Sequence, residues 1–309
     1  MNPLDPRQLS RDSGFTLIEL LISMTISLLI ALVVTQAYLS SLTTQRSQTD
    51  QTRLNESARF AFDLIGKEIR RAGYRNVFSP YPSTYNPKTH AQDFCATAAT
   101  GPLLAAANDT SAIDPSAANF SGATATTLNK SDVIRARFYG EDNATGTAAE
   151  GSVLDCQGNT VRRSTLVEDT LYIAADATNN NEPTLFCNTS NTVSPGTIAL
   201  VPGVETMQIL YGEDTDNDGF INHYVPSSSV LNWNNVLSIR VGLVVRTPNA
   251  VSNDATASKK YNLFGPAYAP SDAGPSGDTG SVYTSPNPGD RRVRLMFTTE
   301  FALRNYPQC

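Results

Sequence analysis

The tightest constraint on this chain is a run of twenty residues, Phe15–Val34, with a single charge, Glu19. An apolar helix of that length can cross a hydrocarbon core. A carboxylate inside such a span is costly in lipid and persists mainly where something pairs with it. The residues just before the run suggest the partner. If the chain is cut between Gly14 and Phe15, Phe15 becomes an N-terminus with a cationic amine. That amine and the Glu19 carboxylate of a neighbouring copy carry opposite charge.

Two plainer readings explain less. A secretory signal peptide would use a small-residue site such as Thr35-Gln36-Ala37, but this run is about twice the usual apolar length and contains an acid. A plain single-span anchor has no use for Glu19. The order Gly14, Phe15, then Glu19 five positions into the cut chain, then an apolar helix, resembles the leader of type IV prepilins and pseudopilins. The resemblance implies that a prepilin peptidase cuts after Gly14 and N-methylates Phe15. It implies that the span first anchors the subunit in the inner membrane and later packs in a filament core. Glu19 would guide docking through the amine of the adjacent subunit.

Arg7 and Arg11 precede the run, so positive-inside bias places the first residues in the cytoplasm and everything after Val34 outside it. The net charge of −6 argues against a broad nucleic-acid surface, and no direct nucleic-acid binding is expected. The four cysteines, Cys95, Cys156, Cys187 and Cys309, form no C-x-x-C pair, so zinc-ribbon spacing is absent. In an oxidising periplasm they suggest one or two disulfides, with three pairings open, against buried free thiols.

The helical pattern continues past the run. Leu54, Ala58, Ala61, Phe62, Ile65, Ile69 and Ala72 recur at three- and four-residue spacing and make one apolar stripe, with Gly73 as a C-terminal stop. This half must bury its stripe, and a sheet is the natural surface. Gly66 is its internal weak point. The expected organisation is a leader at 1–14, a membrane or filament-core half-helix at 15–38, an amphipathic half-helix at 39–73 and a periplasmic β-rich head at 74–309. The class is α+β. The division resembles the type IV pilin plan, a long N-terminal helix packed on a mainly antiparallel sheet head with long loops. No proline occurs between Phe15 and Phe78, so the local melting of many major pilin helices is not carried over.

In the head, 78–130 and 247–290 are rich in loop-forming residues and read as long excursions. Strand signals lie at Val133–Phe138, Thr170–Ala174, Met207–Tyr211, Ile221–Val225, Val236–Arg246 and Arg291–Phe301. Leu237, Ile239, Val241, Leu243 and Val245 should share a face, as should Val293, Leu295, Phe297 and Phe301. Phe138–Asp142 and Leu210–Asp214 echo each other, as in a two-lobed sheet.

Asp214, Asp216 and Asp218 have the spacing of a calcium loop, with Gly219 at the turn, the Phe220 carbonyl as a further ligand and Asn222 at the ninth position. The twelfth position is Val225 rather than a bidentate Glu, so this is not an EF-hand, and any Ca²⁺ would bind at about 10⁻⁴–10⁻³ M. The same residues also make an ordinary solvated hairpin turn. Both readings stand. No nucleophile elbow, P-loop or H-E-x-x-H pattern occurs. His90, His223 and the pairs Glu141/Asp142 and Glu213/Asp214 form no convincing catalytic set, and no enzyme activity is expected.

Several later segments extend the resemblance: Glu68–Tyr74, Val201–Gly212, Trp233 with Val236–Arg246, and Arg291–Asn305. Together they look like the PilW family of minor pilins and, more distantly, the J-type minor pseudopilin of type II secretion. The resemblance implies a scarce subunit that joins other minor pilins at a pilus tip, primes assembly of the major pilin and helps present a tip adhesin. Twitching motility and adhesion would follow. Its location would be the inner membrane, then the pilus surface. A membrane-anchored binding domain outside any filament is the alternative of a different class. The intact mass of the mature protein is expected to show loss of the first fourteen residues plus one added methyl group. A chain still bearing its leader, or trimmed near Ala37, would contradict the prepilin reading.

Overall fold

The computed structural model describes residues 16–76, 102–118, 120, 122, 124–248, 260–264, 282–284 and 290–305. The chain divides into two compact units, Met1–Thr49 and Asp50–Cys309. Helix α1 is continuous from Leu17 to Arg71.

The described part of the first unit is helical from Leu17 onward. Its large apolar side chains from Leu17 to Leu39 are exposed, from Leu17 at 80% down to Ile26 at 51%. Several of its hydroxyls are satisfied locally. Ser23 Oγ donates to the Leu20 carbonyl at 2.9 Å, Ser27 Oγ to Ser23 at 2.7 Å and Thr35 Oγ1 to Ala31 at 2.7 Å. Hydroxyls bonded back onto their own helix need no water, so they do not spoil an apolar surface.

In the second unit the helix contributes the expected stripe. Leu54, Ala58, Ala61, Ile65, Ile69 and Ala72 are almost wholly buried, and Phe62 is half-buried. They pack in one core with two antiparallel sheets. The first sheet has the order β1-β4-β5-β6-β7, from β1 (Leu104–Ala107), β4 (Val133–Tyr139), β5 (Leu166–Asp176), β6 (Glu182–Thr189) and β7 (Gly196–Pro202). The second is β13-β10-β8-β9, from β8 (Val204–Glu213), β9 (His223–Val225), β10 (Val236–Arg246) and β13 (Arg294–Ala302). Two small ribbons complete it: β2 (Ala112–Ile113) with β3 (Ala125–Thr126), and β11 (Lys260–Asn262) with β12 (Val282–Thr284).

Period-two alternation puts Met207, Ile209 and Tyr211 of β8, and Ile239, Val241, Leu243 and Val245 of β10, into the shared core. Leu237 does not join them. The β8–β10 register shifts between Val236 and Ser238, so Val236 takes the core position and Leu237 is half-buried. A bulge of this kind moves one residue out of alternation, and a strictly alternating reading of the sequence misses it. Leu295, Phe297 and Phe301 share the core-facing side of β13 as expected, and Val293 packs on the same core just before the strand begins.

The helix stops where Gly73 adopts a φ of 75°. Asn305 caps the end, its amide donating to the carbonyls of Arg70 at 3.1 Å and Ala72 at 3.2 Å. Gly66 is a close-approach site, since a Cβ there would lie 2.4 Å from Phe301 Cε1.

The two sheets are joined at Gly203, whose N–H bonds Pro183 of β6 at 2.7 Å and whose carbonyl accepts from Arg246 of β10 at 2.8 Å. They are joined again at Asp132. Its N–H bonds the Met207 carbonyl, and its carboxylate accepts from Ile209 N and Asp109 N, both at 2.8 Å. The Phe138–Asp142 and Leu210–Asp214 segments close β4 and β8, one in each sheet.

Strand structure exceeds the expectation in places. β1, β2 and β3 lie within the stretch read as a loop, β5 is longer than Thr170–Ala174, and β9 is shorter than Ile221–Val225. β6 and β7 carried no usable signal, one opening on Glu182-Pro183 and the other closing on Pro202. Most of the 247–290 excursion lies outside the described residues.

Asp132 is buried, and burial pushes its carboxyl from 3.8 up to about 8, against the bonds from Asp109 and Ile209. The folded chain therefore holds a proton that the unfolded chain has lost. The associated stability is full below the lower value and is lost as pH rises through the upper one. Relative to the unaltered protein, Asp132→Asn is expected to gain thermal stability as pH rises from about 4 to about 8, by about 1.4 kcal/mol for each step of one in pH. A constant offset across that range would contradict this.

Candidate functional site

Gly14 and Phe15 lie outside the described residues. Glu19 is placed in the first turn of α1. Its Oε2 accepts from Thr16 N at 2.9 Å and Thr16 Oγ1 at 3.0 Å, while Glu19 N donates to Thr16 Oγ1 at 3.3 Å. This is a reciprocal capping box that supplies partners for otherwise unbonded donors at the helix start. The Thr16-x-x-Glu19 spacing is the sequence signal for this cap. Within one chain, then, Glu19 already has polar partners. The helix is long and apolar enough to cross a membrane by length and composition.

The acidic loop joins β8 to β9. Asp214 is buried, and its carboxylate accepts from Asn217 N at 2.7 Å, Asp218 N at 3.3 Å and Gly219 N at 2.8 Å. Burial pushes the Asp214 carboxyl up, but these backbone donors prevail and hold it below its ordinary value. Oxygens of Asp214, Asp216 and Asp218 lie within 4.8 Å of one another, a spacing that a hard cation could bridge. Asp216 and Asp218 are exposed. Phe220 is 75% exposed, and its N–H donates to Asp218 Oδ1 at 2.8 Å. Asn222 Oδ1 is engaged by Thr215 N at 2.6 Å and Thr215 Oγ1 at 3.0 Å. Three carboxylates are thus brought together, whereas the ninth-position oxygen is committed to holding the turn.

Cys156 and Cys187 form a disulfide. Cys95 and Cys309 lie outside the described residues. Beside the disulfide, Arg71 pairs with both Glu68 and Asp169 and lies over the Phe138 ring at 3.9 Å. Burial, opposed by Arg71, pushes Glu68 up to about 8. A second buried network holds the far end of the sheets. Glu205 accepts from Arg294 at 2.7 and 2.9 Å, Arg246 at 3.0 Å and the Tyr283 hydroxyl at 3.0 Å. Glu182 takes Arg246 at 2.9 Å and Arg292 at 2.8 Å. Neither network was legible, because its members come together only through strand pairing.

The acidic pairs, His223 and Trp233 are engaged in structural contacts. Glu141 pairs with Arg163, and Asp142 with Arg162 at 3.1 Å. Glu213 is buried and accepts from Leu231 N, Asn232 N and His223. Trp233 packs edge-on against Tyr211 with ring centres 4.9 Å apart. His90 lies outside the described residues.

Comparison with known proteins agrees with this layout. Residues 170–305 match the family model for the type IV pilus-assembly protein W, PilW, and residues 9–35 match the prokaryotic N-terminal methylation motif. The PilW match begins within β5 and takes in the whole second sheet. No curated protein matches the chain. Among solved structures, a type IV-like pilin from Thermus thermophilus aligns over 83% of this chain and 98% of its own, with 12% identity and a TM-score of 0.42. With a methylation motif on its apolar helix and a PilW-type match across the second sheet, the chain is similar to type IV pilin-like proteins of the PilW family.

Proposed function

We propose that this protein is a minor pilin that primes type IV pilus assembly and sits with other minor pilins at the filament tip. Its partners are the prepilin peptidase during maturation, then the major pilin, further minor pilins and a tip adhesin. The head stands in the periplasm while the apolar half-helix is in the inner membrane, and it reaches the cell surface with the pilus. The role is structural and supports twitching motility and adhesion. One observation carries the reading: an exposed apolar helix with a single carboxylate in its first turn, on a chain with a PilW-type head. In lipid the Thr16 capping bonds would soften the burden of Glu19. On docking, the same carboxylate would exchange them for the amine of a neighbouring Phe15, a stronger charge-assisted contact. Glu19→Ala is expected to abolish surface pili while the protein remains in the inner membrane. An unchanged pilus count would contradict the priming role.

We also infer that the acidic loop is a weak Ca²⁺ site, with Asp214, Asp216 and Asp218 as ligands and the Phe220 carbonyl as a further oxygen. Asn222 would have to release Thr215 or yield its position to water. The mutual approach of the three carboxylates supports this reading. Mg²⁺ fits less well, since it prefers fewer protein ligands and stricter geometry. Millimolar calcium should raise the melting temperature of the head relative to chelator, and Asp216→Ala should remove the shift. Identical melts in both conditions would end the claim.

A further inference from the structure

The disulfide lies beside a polar group that the rest of the fold leaves unused. The Cys156 and Cys187 sulfurs and a carboxylate oxygen of Asp169 all lie within 4.8 Å of one another. Asp169 is fully buried. Its Oδ2 accepts from Arg71 Nη2 and from Cys156 N, both at 2.8 Å, but its Oδ1 accepts no hydrogen bond. The Thr189 hydroxyl lies near the carboxylate without closing a bond to Oδ1. Strand register explains the proximity. Leu171 of β5 faces Cys187 of β6, and Asp169 lies two residues back along β5, facing Thr189. The loop carrying Cys156 closes over the carboxylate. A disulfide accounts for the closeness of the two sulfurs. It does not account for a buried carboxylate oxygen without a donor, which is costly in a dry interior.

Two sulfurs and one carboxylate oxygen form a donor set suited to zinc once the sulfurs are thiolates. We propose that, when the Cys156–Cys187 bond is reduced, Cys156, Cys187 and Asp169 bind one Zn²⁺. In the reduction an incoming dithiol attacks the disulfide and leaves as its own cyclic disulfide. Its two electrons and two protons end on the Cys156 and Cys187 sulfurs. Zinc then displaces both thiol protons to solvent as the two Zn–S bonds form.

The charge is partly offset. Two thiolates and one carboxylate on Zn²⁺ sum to −1, and the Arg71 guanidinium, shared by Asp169 and Glu68, lies beside that charge. The remaining contacts also suit a metal. Arg71 and the Cys156 N–H hold Oδ2 and orient the carboxylate, which leaves Oδ1 for the ion. Two thiolates on a tetrahedral zinc lie roughly 3.8 Å apart for Zn–S bonds of about 2.3 Å. Cys156 is in a loop and only half-buried, so it can supply that separation and an entry path. The fourth position is left to water.

The test uses the full chain in detergent with Cys95→Ser and Cys309→Ser, so that only one cysteine pair remains. After reduction by a water-soluble phosphine, one equivalent of Co²⁺ should give a thiolate-to-cobalt charge-transfer band. One equivalent of Zn²⁺ should displace it, and the oxidised chain should show none. Asp169→Asn should weaken Co²⁺ binding by at least about tenfold. A reduced, folded chain without the band, or an Asp169→Asn chain with undiminished affinity, would overturn the proposal. If reduction alone unfolds the head, zinc added beforehand must preserve its far-ultraviolet circular dichroism, and failure to do so would overturn it equally.

Discussion

One uninterrupted helix, Leu17–Arg71, has to meet two different solvents, and the rest of the fold follows from that demand. Its first turns expose leucine, isoleucine and valine all round and bond their hydroxyls back onto the helix. That surface suits hydrocarbon or other apolar helices. Its last turns present only one apolar stripe, which fills the core shared by two antiparallel sheets. Small residues let it seat closely: Ala58, Ala61 and Ala72 are buried in the stripe, and Gly66 lies against the Phe301 ring. Without that stripe, both sheets would turn their inner faces to water.

The head is held by more than apolar packing. Glu205, Glu182 and three arginines tie β6 to β8, β10 and the approach to β13. Glu68, Arg71 and Asp169 tie the end of the helix to β5. Buried ion pairs add little net stability over apolar substitutes, but losing one partner is severe, because the other is left charged in a dry interior. We read them as devices that fix how the helix and the sheets register. Glu19 is likewise a charge with a polar partner, Thr16. It is the one charge in an apolar surface, tolerated because a polar partner is at hand.

The features set by local spacing were legible in the sequence. The stripe from Leu54 to Ala72, the stop at Gly73, the full extent of Val236–Arg246 and the inward face of β13 all follow from periodicity or backbone preference. The departures arise where tertiary pairing overrides local pattern. The bulge at Val236–Ser238 displaced Leu237 from the core. β6 is a strand chiefly because β5 offers it an edge, and β7 because β6 does. At the helix start, Glu19 was found as a lone charge, but its bond to Thr16 depends on helix geometry that charge alone does not convey. The acidic loop was found by composition, whereas the commitment of Asn222 to Thr215 is set by the turn.

Hydrogen exchange of the full chain in lipid nanodiscs tests the central claim most directly. Amides of residues 54–71 should exchange only through global unfolding, as slowly as those of β8 and β10, because the helix stripe completes the core. Rapid exchange over 54–71 with β8 and β10 still protected would show that the head stands without the helix, and the account would fail.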